Sequence, residues 1–227
     1  IYIKDERQGP TSSFKDRQAA VTIAALKEAG ITEMVAASTG NVAISYSAYA
    51  SRAGVKLWAF VTSLVPAVKM REIALYGSQV IKITGSYDQC KQVASEFARQ
   101  RHLYQDLGAR TITSVEAMKT IAFEIAEQLT AIEEPDNAVD APWRTPDWYV
   151  QAISGGMGPL GVYKGFREMK QMGWTDRIPA FAPIQAEGCA PMVHSWKKGL
   201  EKAEPVISPM TRIETLATGD PGRAYEF

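Results

Sequence analysis

The 227 residues carry 25 basic and 25 acidic side chains, so the formal net charge is zero, and 46% of the chain is hydrophobic. That length allows one large domain or two small ones with a real core, and the neutral balance excludes an electrostatic footprint for nucleic acid or an anionic membrane. No apolar run is long enough to span a bilayer, and two cysteines, Cys90 and Cys189, are too few for a disulfide framework, which points to a reducing, cytoplasmic setting.

In chain order, residues 1–3 read as a strand. The stretch Gly9-Pro10-Thr11-Ser12-Ser13-Phe14-Lys15-Asp16-Arg17 then turns an extended segment into a helix over 17–29 that Gly30 stops. Pro10 fixes its own φ and biases Gly9 away from helix; Thr11, Ser12 and Ser13 are N-cap residue types. An apolar strand over 33–37 runs into a polar turn, and a helix over 42–53 ends at Gly54. Strand 55–61, helix 66–77, strand 79–83 and helix 88–101 follow. Residues 114–129 predict an amphipathic helix with Met118, Ile121, Ile125 and Leu129 on one face. The segment 133–146, with three prolines and four acids, reads as a linker or long excursion. Beyond it come a buried-type strand over 148–153, a glycine loop, helix 162–172, strand 180–186 and a short helix near 190–199. Regular alternation of strand and helix predicts an α/β fold with parallel sheets and covering helices.

Three stretches bear chemistry. Lys15 sits near a helix N-terminus, where the dipole and Arg17 both disfavour an ammonium. It can serve as a nucleophilic amine of the kind that forms Schiff bases, or be an ordinary solvated lysine. Ser38-Thr39-Gly40-Asn41 follows a strand and opens a helix, offering two hydroxyls, backbone amides and a side-chain amide to an anion such as a carboxylate; the plainer reading is a helix cap. The glycine loop over 155–161 has the strand–glycine–helix arrangement that cradles a phosphate, although Pro159 has no amide to donate. Gly156, Gly158 and Gly161 also match G-x-G-x-x-G, with Glu187 near the end of the next strand, so an NAD(P)-binding oxidoreductase is a competing reading. No G-K-[ST] follows, which argues against a P-loop. His102 and His194 are isolated, and no spacing suggests a metal site. Cys189 reads as a small buried hydrophobe. Lys69 and Arg71 read as helix-surface charge, with contact to an anionic substrate as the other reading.

Taken together, Lys4-Asp5-Glu6 before Gly-Pro-Thr-Ser-Ser-Phe-Lys-Asp-Arg, Ser-Thr-Gly-Asn one helix later, the glycine loop, the helix 119–129 and Gln185-Ala-Glu-Gly-Cys-Ala-Pro191 resemble the fold type II pyridoxal-phosphate enzymes. Within that family the string resembles the threonine synthases, over nearly the whole chain. The resemblance implies two parallel-sheet α/β domains, as in the tryptophan synthase beta fold, with pyridoxal 5'-phosphate in the cleft between them. The smaller would span 13–140; the larger would comprise 1–12 plus 147–227 and be incomplete, since both ends read as cut from a longer chain. Lys15 would be the Schiff-base lysine and general base, and Asn41 would bond the pyridine 3′-oxygen. Ser38, Thr39, Gly40 and Asn41 would bind the substrate carboxylate. Gly155, Gly156, Met157, Gly158 and Leu160 would hold the cofactor phosphate. The residue facing the pyridine nitrogen would lie beyond residue 227. The reaction implied is the β,γ-replacement that turns O-phosphohomoserine and water into threonine and phosphate, in a homodimer acting on a small amino-acid substrate. Threonine or serine dehydratases and cysteine synthase-like enzymes are the near alternatives, and a non-catalytic binding module of the same fold is a further one.

Overall fold

A computed structural model describes residues 1–38, 40–63, 65–135 and 142–225. Its first layer follows from the two-residue period of β1 (Glu33–Ser38), in which Met34 and Ala36 face one side and Val35 the other, all buried. β2 (Lys56–Thr62) and then β3 (Gln79–Ile83) lie to one side of β1, and β4 (Tyr104–Asp106) lies to the other. The order is β3-β2-β1-β4 with every pair parallel. Such a sheet must be covered on both faces. α1 (Lys15–Glu28), α2 (Asn41–Ala53) and α3 (Ala67–Leu75) cover one, packing Ala19, Ile23, Tyr46 and Ile73 on Leu57, Ala59 and Val61. α4 (Tyr87–Arg101) covers the other, with Cys90, Ala94 and Ala98 on Val35 and Phe60.

The chain winds outward from β1 to β3 and then returns across the sheet to β4. Neighbouring strands β1 and β4 therefore send their following loops in opposite directions, which opens a crevice at their carboxyl ends.

α5 (Ile112–Glu133) packs against α1 and against α6 (Met157–Gln171). α6 connects the parallel pair β5 (Trp148–Ala152) and β6 (Ala180–Ile184). This second core holds Met118, Ile121 and Ala122 of α5 and Val162, Phe166 and Met169 of α6, with Tyr149 and Phe181 of the strands against it. Two glycines let α5 and α6 approach closely. A Cβ on Gly161 would lie 2.5 Å from the Val115 carbonyl oxygen, and one on Gly165 would lie 2.8 Å from the Ala122 Cβ. Gly161, the last glycine of the G-x-G-x-x-G match, thus serves helix packing. α7 (Pro191–Lys197) follows β6.

Several elements differ from the sequence reading. Residues 1–3 form no strand, because no neighbouring strand pairs with them among the described residues, and Ile1 and Ile3 are exposed. α1 starts at Lys15 and α6 at Met157, both earlier than predicted. For α6 the reason is local: Gly156 takes the left-handed conformation at φ 82°, and Pro159 is tolerated in a first turn whose N–H groups have no intrahelical partner. β5 is not buried on both faces; Trp148 and Val150 are exposed while Tyr149 points inward. β4 has three residues, too few for a visible alternation, and was not predicted. In the excursion over 133–146, residues 136–141 lie outside the described residues.

The α5–α6 contact predicts that Gly161→Val destabilises the protein by about 1–3 kcal/mol through overpacking. A urea unfolding curve would show a lower midpoint with an unchanged slope; an unchanged midpoint would contradict the packing described here.

Candidate functional site

The turn that presents Lys15 is pinned from both sides. Asp16 is buried, and its carboxylate accepts from the Thr11 N–H (2.9 Å) and the Thr11 hydroxyl (2.6 Å). That hydroxyl also meets Ser45 Oγ of α2 at 2.8 Å. Gly9 is required where it is, since a Cβ there would collide with the Asp16 carboxylate. Arg17 points away from Lys15. Its guanidinium donates to Glu6 (2.7 and 2.9 Å) and to Glu124 of α5 (2.6 Å), and Lys4 adds a 2.7 Å contact to Glu124. Arg17 thereby fastens residues 4–9 and α1 to α5, and it holds the Glu124 carboxyl down to about 2 through its hydrogen bonds.

Lys15 then enters a cavity of about 410 Å³ at the crevice between β1 and β4. Burial lowers its pKa to about 8, against the opposing pull of Asp106. Desolvation is the largest cause of that depression, and the charge of Arg17, its neighbour in sequence, is met by carboxylates. Lys15 Nζ lies 4.3 Å from the centre of the Phe14 ring. At pH 7 about one Lys15 in ten is a free amine, against roughly one in a few thousand for an ordinary lysine.

Of the other predicted residues, Ser38, Asn41, Gly155, Gly156, Met157 and Gly158 line the same cavity. The Gly40 N–H donates to Ser38 Oγ at 3.0 Å, and Gly40 packs against the Lys69 side chain without lining the cavity. Lys69 Nζ donates to Asn41 Oδ1 at 3.2 Å, which leaves the Asn41 Nδ2–H groups free to donate. Thr39 lies outside the described residues. Leu160 is off the cavity and its N–H donates to the Gly156 carbonyl, so it has no amide to offer an anion. Met157 and Gly158 open α6, where backbone N–H groups have no intrahelical acceptor. Glu187, Lys69, Arg71, His102, His194 and Cys189 do not line the cavity. No cluster of metal-ligating side chains occurs among the described residues, and none of their helices is long and apolar enough to cross a membrane.

Sequence reasoning missed three parts of the wall. Asp106, at the end of β4, lines the cavity and accepts from Gln18 Nε2 (2.7 Å), Ser114 Oγ (2.9 Å) and the Gly108 N–H (3.2 Å). Burial raises its carboxyl pKa, and the Ser114 hydroxyl and Gly108 amide oppose that. Gln151, near the end of β5, forms a second part. The third is the segment 215–222, tied to the glycine loop by a 2.5 Å contact between Thr218 Oγ1 and Ser154 Oγ. No local motif marks any of them; strand ends and a distant loop bring them together.

The lowered Lys15 pKa affects both folding and reactivity. Between about 8 and the ordinary lysine value the unfolded chain holds a proton that the folded protein has lost, so this group makes folding more favourable as pH rises through that window. Reaction of an aldehyde with Lys15 should quicken about tenfold per pH unit up to about 8 and then level off. In Asp106→Asn the break should move to lower pH; a break near the ordinary lysine value in the parent protein would contradict the burial of the amine.

The profile of a family described as pyridoxal-phosphate dependent enzyme matches residues 1–225. The threonine synthase of Methanocaldococcus jannaschii is 30% identical over 225 residues, covering 99% of this chain and 52% of that protein. The threonine synthase of Methanosarcina acetivorans is 33% identical over 223 residues, covering 96% of this chain and 50% of that protein. The chain therefore spans about half the length of the curated relatives it matches. Among solved structures, a pyridoxal 5'-phosphate-dependent aspartate racemase superposes with a TM-score of 0.78 at 21% identity, over 98% of this chain and 62% of that one. The α/β architecture with parallel sheets is that of the fold type II pyridoxal-phosphate enzymes.

Proposed function

The chain belongs to the pyridoxal-phosphate dependent enzyme family, and from that premise we propose that the protein carrying it is a lyase of the threonine synthase type, converting O-phosphohomoserine and water into threonine and phosphate. The observation that carries this reading is the meeting of a partly deprotonated lysine, the Ser38–Asn41 turn and the 155–158 loop on one cavity. The setting proposed is a cytoplasmic homodimer, in keeping with two free, buried cysteines, and the units proposed are those spanning 13–140 and 1–12 plus 147–227.

The residues present fit the family's cofactor. Gly156 holds a left-handed turn, and the first-turn N–H groups of α6 have no intrahelical acceptor, so backbone donors stand bare there, as a phosphate requires. Lys15 would supply the amine for the aldehyde, and Asn41, its carbonyl turned to Lys69, would supply an amide donor for the ring oxygen. Pyridoxal phosphate, when bound, supplies an electron sink for negative charge developing at the substrate Cα.

The rest falls to the protein. Ser38 and Asn41 would grip the substrate carboxylate and orient the Cα–H bond. Lys15 would take the Cα proton and return it further along the side chain, a task suited to an amine with a pKa of about 8. Arg110 brings positive charge to the same cavity, in keeping with a substrate that carries a phosphate ester, while Lys91 there is paired with Asp88.

The full-length protein should release phosphate and form threonine from O-phosphohomoserine far faster than it dehydrates free threonine or serine. Lys15→Ala should lower kcat at least a thousandfold. Faster production of 2-oxobutyrate from threonine than of phosphate from O-phosphohomoserine would overturn the synthase reading in favour of a dehydratase.

A further inference from the structure

The glycine loop faces a side chain that its own motif does not include. Gln151 stands near the carboxyl end of β5, on the same face as Tyr149, and lines the cavity. Its carboxamide lies against the Cα of Gly158: a Cβ at that glycine would sit 2.7 Å from Gln151 Nε2 and 2.8 Å from Oε1. Any side chain at 158 would push the amide away, so the glycine serves the glutamine as well as the helix start.

The orientation of this amide is set from below. The Tyr149 hydroxyl donates to Gln151 Oε1 at 2.9 Å. Tyr149 is itself held by the Phe181 ring, with centroids 5.2 Å apart, and burial raises its pKa so that it stays a donor. With Oε1 occupied, both Nε2–H groups are left to donate. No protein acceptor takes them among the described residues. Gln151 lines the same cavity as Met157 and Gly158, whose first-turn amides have no intrahelical acceptor, so a side-chain donor and backbone donors share one wall.

We propose that Gln151 is an anion-binding residue of this site, its Nε2–H donating to the cofactor phosphate held at 155–158. The inference rests on the pyridoxal-phosphate reading of the site and adds to it a residue from the preceding strand. A carboxamide suits this place because it donates without adding charge and so leaves the α6 terminus as the main electrostatic attraction. It also explains how a loop with Pro159 in its first turn makes up for the amide it lacks.

Pyridoxal and pyridoxal phosphate share the aldehyde and differ in the phosphate, so their affinities separate the two parts of the site. Both would be titrated by visible absorbance into the full-length apoprotein and into Gln151→Met, Gln151→Glu and Tyr149→Phe. Gln151→Met, which keeps the length but donates nothing, should lose about tenfold in pyridoxal phosphate affinity. Gln151→Glu, with its added negative charge, should lose more, and Tyr149→Phe, which only frees the amide to turn, about threefold. Pyridoxal affinity should stay within about threefold of the parent throughout. Equal losses for both ligands, together with a lower apoprotein melting temperature, would mark Gln151 as a structural residue and overturn the proposal. Unchanged pyridoxal phosphate affinity in Gln151→Glu would overturn it too. A parent protein that binds the two ligands equally would overturn the phosphate reading of the loop, and this inference with it.

Discussion

Burial of one amine is the constraint on which the rest of the site depends. An ammonium is costly to desolvate, and a lysine left to itself would turn out to water. Lys15 is kept inward because the chain on both sides of it is tied down: Asp16 holds the preceding turn through Thr11, and Arg17 bridges Glu6 and Glu124. Each of those polar side chains is satisfied by a partner that leaves the cavity face to Lys15. Asp106 lies on that face and limits the fall in pKa, so the amine is neither fixed as a cation nor stripped of basicity.

The topology supplies everything that meets the amine. Because β4 returns to the far side of β1, the loops after these two strands part and leave an opening for a ligand. The glycine loop then arrives from a different sheet, brought by α6, which can lie on α5 only because Gly161 and Gly165 have no side chains. Helix packing and anion chemistry are thus coupled along one helix. Its first turn faces the cavity, and the next two set how far it stands from α5 and, through α5, from α1 and Lys15.

What the sequence made legible follows from how local each signal is. The lysine turn, the Ser38–Asn41 turn and the glycine loop are contiguous strings, and the alternation that predicts parallel sheets is carried by long, strongly patterned elements such as α5. Asp106 was hidden because a three-residue strand shows no period and its partners Gln18 and Ser114 come from separate helices. Gln151 was hidden because it looks like any other residue of a strand, and only the fold sets it over Gly158. Residues 1–3 misled because their apolar alternation fits a strand, yet a strand needs a neighbour. Arg17 misled in another way: its nearness in sequence suggested an effect on Lys15 that its carboxylate partners remove.

We propose that Lys15 is the amine that holds the cofactor, and one measurement reaches this directly. The full-length protein, loaded with pyridoxal phosphate, would be reduced with borohydride, digested and mapped for the pyridoxyl mass. A visible absorbance band that vanishes on reduction is expected, with one modified peptide, the one containing Lys15. Label on another cavity residue, or scattered over exposed lysines with none on Lys15, would contradict it.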